Sequence, residues 1–271
     1  MGITAAETKF MEFPRFYCDS PLTAGLCVEL SLAESHHAMH VLRLRVGEGV
    51  VLCNGRGEAA AGRIVQAKHG RVRCEVGAVE AAEVRRRPGV HVGFAVPKGK
   101  RLDWLLEKAT ELGASSLWPV AFERSVAGGD ELAEGKRERW LGHCVAAAKQ
   151  SGLNFLPELR ELLPLPELLS ATAEAVAAGG LRRFVGDVTA DAVPLATALG
   201  DAERPVGACL SGACLPGADI LILIGPEGGL TDGERRLLAA AHVTPVRLGH
   251  TVLRIETAVV ALLAAVMALT R

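Results

Sequence analysis

Residues 221–234, LILIGPEGGLTDGE, constrain the fold more than any other stretch of this chain. The run Leu221–Ile224 is too short and too uniformly apolar for a strand with one wet face, so it reads as a strand buried on both faces of a parallel sheet. Thr231 and Glu234 have the S/T-x-x-E spacing of a capping box, which starts a helix just after the glycines. Strand, glycine turn and helix in that order bring main-chain N–H groups close to a ligand at the carboxyl edge of an α/β sheet. Taken alone, GPEGG fits a phosphate-binding turn, a nucleotide loop or a plain tight turn. It matches neither G-x-G-x-x-G nor G-x-x-x-x-G-K-S/T, which argues against a Rossmann cofactor site and a P-loop. A second glycine-ended unit, LGHTVLRIETA, follows one strand later and would set its loop on the same sheet edge.

The pattern of the whole chain changes at RRRPG. Beyond it, strands alternate with helices, the signature of a βαβ domain. VHVGFAV, SLWPVAF, DILILIG and PVRLG read as strands. RLDWLLEKATELG reads as an amphipathic helix with Leu102, Leu105, Leu106, Ala109 and Leu112 on one face and Gly113 as its stop. KRERWLGHCVAAAKQSG follows with Trp140, Leu141, Cys144, Val145 and Ala148 on its apolar side. Thr189–Gly217 is rich in Ala, Gly and Pro and reads as loop, with VPLATAL as a helical turn. The last helix starts near Thr257 and is apolar almost all round, so it must be covered on several sides. Its own domain or a second subunit can do this, and a terminal helix favours the second subunit. Before RRRPG, residues 13–83 hold short β-like pieces (RFYC, VEL, GVVLCNGRGEAAAGRIVQA, GRVRCEVGAV) and one helical segment, LAESHHAMHVLRL. These suggest the hairpins of a small barrel or sandwich. The domains expected are residues 1–84 and 85–271.

Hydrophobic residues make up 49% of the 271, which excludes a disordered chain. There is no basic segment followed by an apolar leader, and TAVVALLAAVMAL falls short of a membrane span, so a soluble, cytoplasmic protein is expected. Seven cysteines without a C-x-x-C pair signal neither a disulfide framework nor a zinc site. The net charge of -1 hides an asymmetry: from His36 to Pro88, ten Lys or Arg face five acids, +5 before four histidines are counted. That region can present a basic surface to nucleic acid or an ordinary solvated strand face. Lys98, Lys100 and Arg101 crowd a helix N-terminus, where positive charge is unfavourable unless an anion sits among them. An RNA phosphate is one such anion, and a solvated face is the alternative.

LIGPEGGLTDGE followed by RLGHTVLRIETA resembles the paired C-terminal motifs of the RsmE family of 16S ribosomal RNA uracil-N3 methyltransferases. The resemblance runs over nearly the whole chain, through PRFY, HHAMHVLRLRVGE, CNGRGE, PKGKRLDWLLEKATELGASSLWPV, ERSV and AAAKQSG. It implies an α/β fold of the SPOUT class, a knotted parallel-sheet methyltransferase domain with a C-terminal trefoil knot, preceded by a small PUA-like β-barrel that binds RNA. It implies a homodimer that methylates N3 of a uridine in the 16S RNA of the small ribosomal subunit, using S-adenosylmethionine and no metal or membrane. A catalytically silent RNA-binding assembly factor, or a SPOUT enzyme acting on another RNA position, shares the same fold.

Carried over to this sequence, the cofactor-site candidates are Leu223, Gly225, Gly228, Gly229, Leu248, Gly249, Leu253 and Arg254. The reaction asks for donors to O2 and O4 of a uracil that has lost its N3 proton. Arg254, Arg124 and Gln150 are candidates for that task. Glu256 is the candidate base, or else a carboxylate favoured by a helix N-terminus. Arg15, Arg43 and Arg56 are expected to contact RNA phosphates, with Lys98, Lys100 and Arg101. His36, His37 and Trp104 are read as structural rather than as stacking groups. One departure stands out. Where the family reads Glu-Gln-x-x-Arg, this chain has Lys149-Gln150-Ser151-Gly152-Leu153, a base for an acid and a leucine for an arginine.

Overall fold

The computed structural model describes residues 13–80, 84, 88–125, 134–200 and 217–270. Its residues fall into two compact units, one drawn from residues 1–85 with Val145–Leu156, the other from Arg86–Cys144 with residues 157–271.

The smaller unit is built on β1 (Arg15–Tyr17), β2 (Cys27–Glu29), β3 (Gly49–Cys53), β4 (Ala59–Lys68) and β5 (Arg71–Val79), in one sheet ordered β1-β3-β4-β5-β2. All pairings are antiparallel except β1 with β3. Alternation along β5 buries Val72, Cys74 and Val76 on one face, where they meet Phe16, Leu30, Leu52 and Ile64; this is the period-two pattern of a half-buried strand. The helical segment expected at LAESHHAMHVLRL is split. Helix α1 (Leu32–His36) is capped by the Ser31 hydroxyl, which accepts from the Glu34 N–H, and it passes into a π-helical turn, His37–Val41.

The segment Val145–Leu156 belongs to this unit. The Gly57 N–H donates to the Asn154 carbonyl and the Leu156 N–H to the Gly55 carbonyl, both at 2.9 Å, so the NGRG turn is pinned by main chain. Lys149 explains its own departure from the family pattern. Its ammonium donates to both carboxylate oxygens of Glu34 at 2.7 and 2.8 Å, with each side chain only 11% exposed. A buried carboxylate beside a lysine is a satisfied pair, whereas beside a second acid it would be an uncompensated charge.

The larger unit is an eight-stranded, wholly parallel sheet. Its strands are β6 (Val90–Ala95), β7 (Ser116–Ala121), β8 (Glu158–Leu159), β9 (Leu163–Pro164), β10 (Leu181–Gly186), β11 (Val193–Pro194), β12 (Asp219–Ile224) and β13 (Thr244–Arg247). The order is β11-β13-β10-β12-β6-β7-β8, with β9 on β7. The helices are α2 (Lys100–Glu111), α3 (Glu134–Ser151), α4 (Leu165–Ala171), α5 (Ala173–Ala177), α6 (Leu195–Gly200), α7 (Asp232–Ala240) and α8 (Ile255–Leu269). Ile220 to Ile224 are all buried, as a strand covered on both faces requires. Helix α8 packs on α2, β6 and β12 through Val259, Leu262, Leu263 and Val266. Its other side, including Ala261, Ala264 and Ala265, is only half-buried.

Some sequence expectations change. Leu112 is half-buried and Leu141 is exposed, so each lies at the edge of its apolar face. In the stretch read as loop from Thr189, the helical turn expected at VPLATAL is α6, and the short β11 before it was not expected; the stretch leaves the described residues at 201–216. Arg85, Arg86 and Arg87, counted in the basic region, also lie outside the described residues. Strand β10 was not expected, because Arg182 and Arg183 interrupt its apolar run. Both arginines are consumed locally at helix ends. Arg183 is 4% exposed and donates to the carbonyls of Leu169 at 2.8 Å and Ala241 at 3.3 Å, while Arg182 donates to those of Ala198 and Leu199. Those carbonyls belong to the last turns of α4, α7 and α6, where cations are favoured. Burial lowers the Arg183 pKa from its usual value.

Among the described residues, five cysteines are free. Burial pushes the Cys18 and Cys144 thiols up to about 11 and Cys74 to about 12, so these are packing groups rather than nucleophiles. No described helix is long and apolar enough to cross a membrane.

Gly93 sets the spacing of the central strands. A Cβ there would lie 2.5 Å from Leu223 Cδ2 across the β6–β12 pair. Gly93→Ala is therefore expected to destabilise the protein by about 1–3 kcal/mol, lowering the urea midpoint without changing the slope. An unchanged midpoint would show that Leu223 repacks freely.

Candidate functional site

Three neighbouring parallel strands, β13, β10 and β12, end together, and each ends in or near a glycine: Gly249, Gly186 and Gly225. Their loops enclose a cavity of about 580 Å³, within the range of small-molecule sites. Gly186 to Val188 line it from β10, Ile224 to Leu230 from β12, and Val246 to Gly249 with Thr251 to Leu253 from β13. Ile255, Ala258, Ala261 and Leu262 of α8 and Arg235 of α7 complete the wall. The carboxyl edge of a parallel sheet is where α/β proteins bind ligands, since loops leaving there expose main-chain groups.

The GPEGG loop is held from several sides. Thr231 caps α7 reciprocally with Glu234: the Glu234 N–H donates to Thr231 Oγ1 at 3.2 Å, and the Thr231 N–H donates to Glu234 Oε2 at 2.8 Å. The other oxygen of Glu234 accepts the Glu123 N–H at 2.8 Å. Next to Glu123, Arg124 reaches over the loop and donates through Nη1 to the Gly228 carbonyl at 2.9 Å. A Cβ on Gly228 would stand 3.3 Å from Arg124 Cβ, so the arginine stem already fills the space a side chain would take. Arg101 pairs with Glu227 at 2.9 Å. The anion called for beside Lys98, Lys100 and Arg101 is thus, for Arg101, a carboxylate of the glycine turn itself. Lys98 and Lys100 are exposed and have no ion pair among the described residues.

On the β10 side, Asp187 Oδ1 accepts the N–H groups of Val188 at 2.7 Å and Thr189 at 3.3 Å, and Oδ2 pairs with Arg235. Arg247 donates to the Ala192 carbonyl at 2.6 Å. The charged groups in the wall are therefore largely neutralised by protein partners, and the cavity offers main chain and apolar side chains.

The structure gathers six of the expected cofactor residues, Gly225, Gly228, Gly229, Leu248, Gly249 and Leu253, around one cavity. Leu223 is fully buried and is not among the lining residues. Arg254 sits between two lining residues as the N-cap of α8, with an exposed side chain that has no hydrogen bond or ion pair among the described residues. Glu256 is in the first turn of α8, 8% exposed, and its Oε2 is buried without a hydrogen-bond partner. Gln150 is exposed and belongs to the smaller unit. In that unit Arg15 donates to Asn154 Oδ1 and to the Leu153 carbonyl, Arg56 pairs with Asp19 at 2.9 Å, and Arg43 is exposed. His37 is held between Phe16 and Lys149, as a structural group should be. His36 and Trp104, also read as structural, are exposed, Trp104 at 42%.

Asp187, Arg235 and Thr251 were missed. The first two depend on recognising β10, and a signal for it existed: RFVGD ends an aliphatic stretch in glycine, as LILIG and PVRLG do.

A parallel sheet with three glycine-edged loops around one cavity, joined in sequence to a small β unit, defines an enzyme-like α/β domain with an appended binding module. Residues 85–267 match the RNA methyltransferase domain family and residues 32–77 the RNA methyltransferase PUA domain. The chain is 33% identical over 263 residues to ribosomal RNA small subunit methyltransferase E of Mycobacterium bovis, covering 94% of this chain and 91% of the relative. Among solved structures, the enzyme of the same name from Neisseria gonorrhoeae, bound to S-adenosyl methionine, superposes with a TM-score of 0.77 at 28% identity, covering 95% of this chain and 98% of that one. A putative methyltransferase from Legionella pneumophila, in complex with the same cofactor, gives a TM-score of 0.79 at 28% identity over 94% of this chain and 97% of that one. The chain belongs to the RNA methyltransferase family defined by these domains.

The cavity fits the cofactor of those relatives. A Cβ added at Gly249 would meet no atom within 4 Å, and Gly229 has φ +71°, so the rim of the cavity is bare main chain; such an edge lets backbone groups approach a nucleoside closely. Gly228→Val is expected to push Arg124 off the loop and to weaken cofactor binding by at least tenfold while leaving the fold intact. Calorimetric titration with S-adenosylmethionine tests this, and unchanged affinity would remove the loop from the site.

Proposed function

We propose that this chain is a cytoplasmic, homodimeric methyltransferase that uses S-adenosylmethionine to methylate N3 of a uridine in the 16S RNA of the small ribosomal subunit. The convergence of three glycine-edged loops on one cavity carries the reading, and the two cofactor-bound relatives that share the fold support it. In this reading Gly225, Gly228, Gly229, Leu248, Gly249 and Leu253 hold the cofactor, largely through main chain. The bound group supplies an electrophilic methyl on a sulfonium.

The protein's own task is to make N3 a nucleophile and to hold it in line. Loss of the N3 proton spreads negative charge onto O2 and O4, so a donor aimed there favours the transition state over the ground state. Arg254 is the donor: its unspent guanidinium stands at a helix N-terminus, where a cation is unfavourable until it meets an anion. Glu256, whose buried Oε2 has unused acceptor capacity, takes the proton. Arg124 spends one donor in shaping the GPEGG loop and keeps the others for the base, and the exposed amide of Gln150 contacts RNA. Lys98, Lys100, Arg43 and Arg56 meet phosphates. Arg101 and Arg15 share that task with their protein partners.

The target base has to leave its stack to reach the cavity. The exposed apolar residues Leu248, Val252 and Leu253, with the half-buried side of α8, form the subunit interface. A knotted C-terminal segment accompanies this fold class.

Transfer of labelled methyl groups to small subunits lacking their own N3 methyl, followed by nucleoside mass analysis, is expected to yield 3-methyluridine. Transfer to another position would reassign the substrate, and cofactor binding without transfer would point to a different RNA or particle. Arg254→Ala is expected to lower kcat by about 100-fold, the scale of one lost oxyanion donor, with little change in cofactor affinity. A loss confined to cofactor affinity would make Arg254 a binding residue.

A further inference from the structure

The π-helical turn of the smaller unit has a surface for which neither its packing nor the cavity of the larger unit gives a use. His36 and His40 are both exposed, and their rings lie 4.8 Å apart at an interplanar angle of 38°. Arg43 and Arg45 follow on the same exposed segment, and neither guanidinium has an ion pair or hydrogen bond among the described residues. Leu32, Val41, Leu42 and Val46 are exposed around them at 64%, 62%, 41% and 60%.

The backbone here is unusual twice over. A π turn is rare and concentrates at functional sites. Arg43, just beyond it, has φ +56°, the left-handed region where helix ends ordinarily place glycine. The Leu42 N–H donates to the His37 carbonyl and the Leu44 N–H to the Ala38 carbonyl, both at 2.9 Å, so the turn closes tightly around this residue. Glycine would sit there without steric cost. The chain instead carries a guanidinium, and an outlier maintained against such a cost points to use of the side chain.

Of the two acids nearby, only Glu34 is withdrawn from the surface, and Glu48 is exposed. Glu34 is buried against Lys149, and Glu48 turns one carboxylate oxygen back to the Arg45 N–H at 2.7 Å. The outer face thus combines a pair of flat imidazoles with two arginines that have no ion pair among the described residues.

We infer that this face is the docking surface for a single-stranded RNA segment, in which an unstacked base lies on the outer side of the His36–His40 pair while Arg43 and Arg45 hold the flanking phosphates. RNA loops are recognised in this way, by stacking of splayed bases on flat side chains combined with phosphate contacts. The two arginines favour a polyanion over an apolar partner. The inference deepens the RNA-methyltransferase reading and rests on it for the identity of the polyanion.

The test uses the full chain, a short fluorescent single-stranded oligoribonucleotide and a hairpin duplex of matched charge. Replacing His36 and His40 together by alanine should weaken binding of the single strand by about tenfold, the scale of one lost base stack, with the salt dependence unchanged. Replacing both by phenylalanine should restore affinity to within about twofold of the parent, because a flat ring suffices for stacking. Arg43→Asn keeps a residue that tolerates positive φ and should lower the slope of log affinity against log salt by about one. Hairpin binding should not respond to the histidine changes. An alanine pair that binds like the parent, or a phenylalanine pair that fails to restore binding, overturns the proposal. Cofactor affinity is measured on the same samples and should not move. Failure of the parent protein to make 3-methyluridine would sink the methyl-transfer reading alone, whereas active enzyme indifferent to the histidine pair would sink only this surface.

Discussion

The Glu234 carboxylate is the interaction on which the candidate site depends. It is buried at 5% exposure and satisfies two main-chain donors from different parts of the chain, Thr231 N–H and Glu123 N–H. A buried carboxylate costs free energy unless its lone pairs are met; here meeting them fixes where α7 begins and how the chain leaves β7. Arg124, one residue beyond Glu123, is thereby brought over Gly228. The cavity rim thus takes its shape from a helix cap, and the flat, bare glycines are held by groups that do not line the cavity.

That rim was legible in the sequence because its signals are local. The capping box needs only a Thr and a Glu at fixed spacing, and an aliphatic run ended by Gly-Pro says strand and turn without help from tertiary structure. Both readings appear in the structure as β12 and the cap at Thr231. Strand β10 was illegible because two arginines in six residues contradict a buried strand unless acceptors wait for them. The acceptors are carbonyls at the ends of three helices, distant in sequence, so no local pattern shows them.

Lys149 illustrates how a substitution that reverses a charge in a motif can be accommodated by a partner elsewhere in the fold. Read alone, a lysine in place of an acid suggests a lost contact. In the fold it meets Glu34, also held by the Tyr17 N–H at 3.0 Å, and lies 5.4 Å from the centre of the Phe16 ring. Such a desolvated pair gains little net stability over an apolar one, but removal of either member strands the other, so the two positions must change together. Leu153 uses its carbonyl rather than its side chain for Arg15, which shows how main chain can take over part of a contact network.

The position of β12 has a consequence for how the protein is made. It lies between β6 and β10, and the contact of Gly89 with Asp219 joins residues 130 positions apart. Until β12 arrives, β6 has an open edge, and every residue that lines the cavity lies beyond position 185. During synthesis the early strands must therefore wait, unpaired on one side, for a segment made late, and pairing over such separations is intrinsically slow. An unpaired apolar edge is also where chains associate wrongly. The interval between translation of β6 and of β12 is thus when this chain has most need of protection, and the binding cavity is completed only afterwards, when β13 and α8 add their part of its wall.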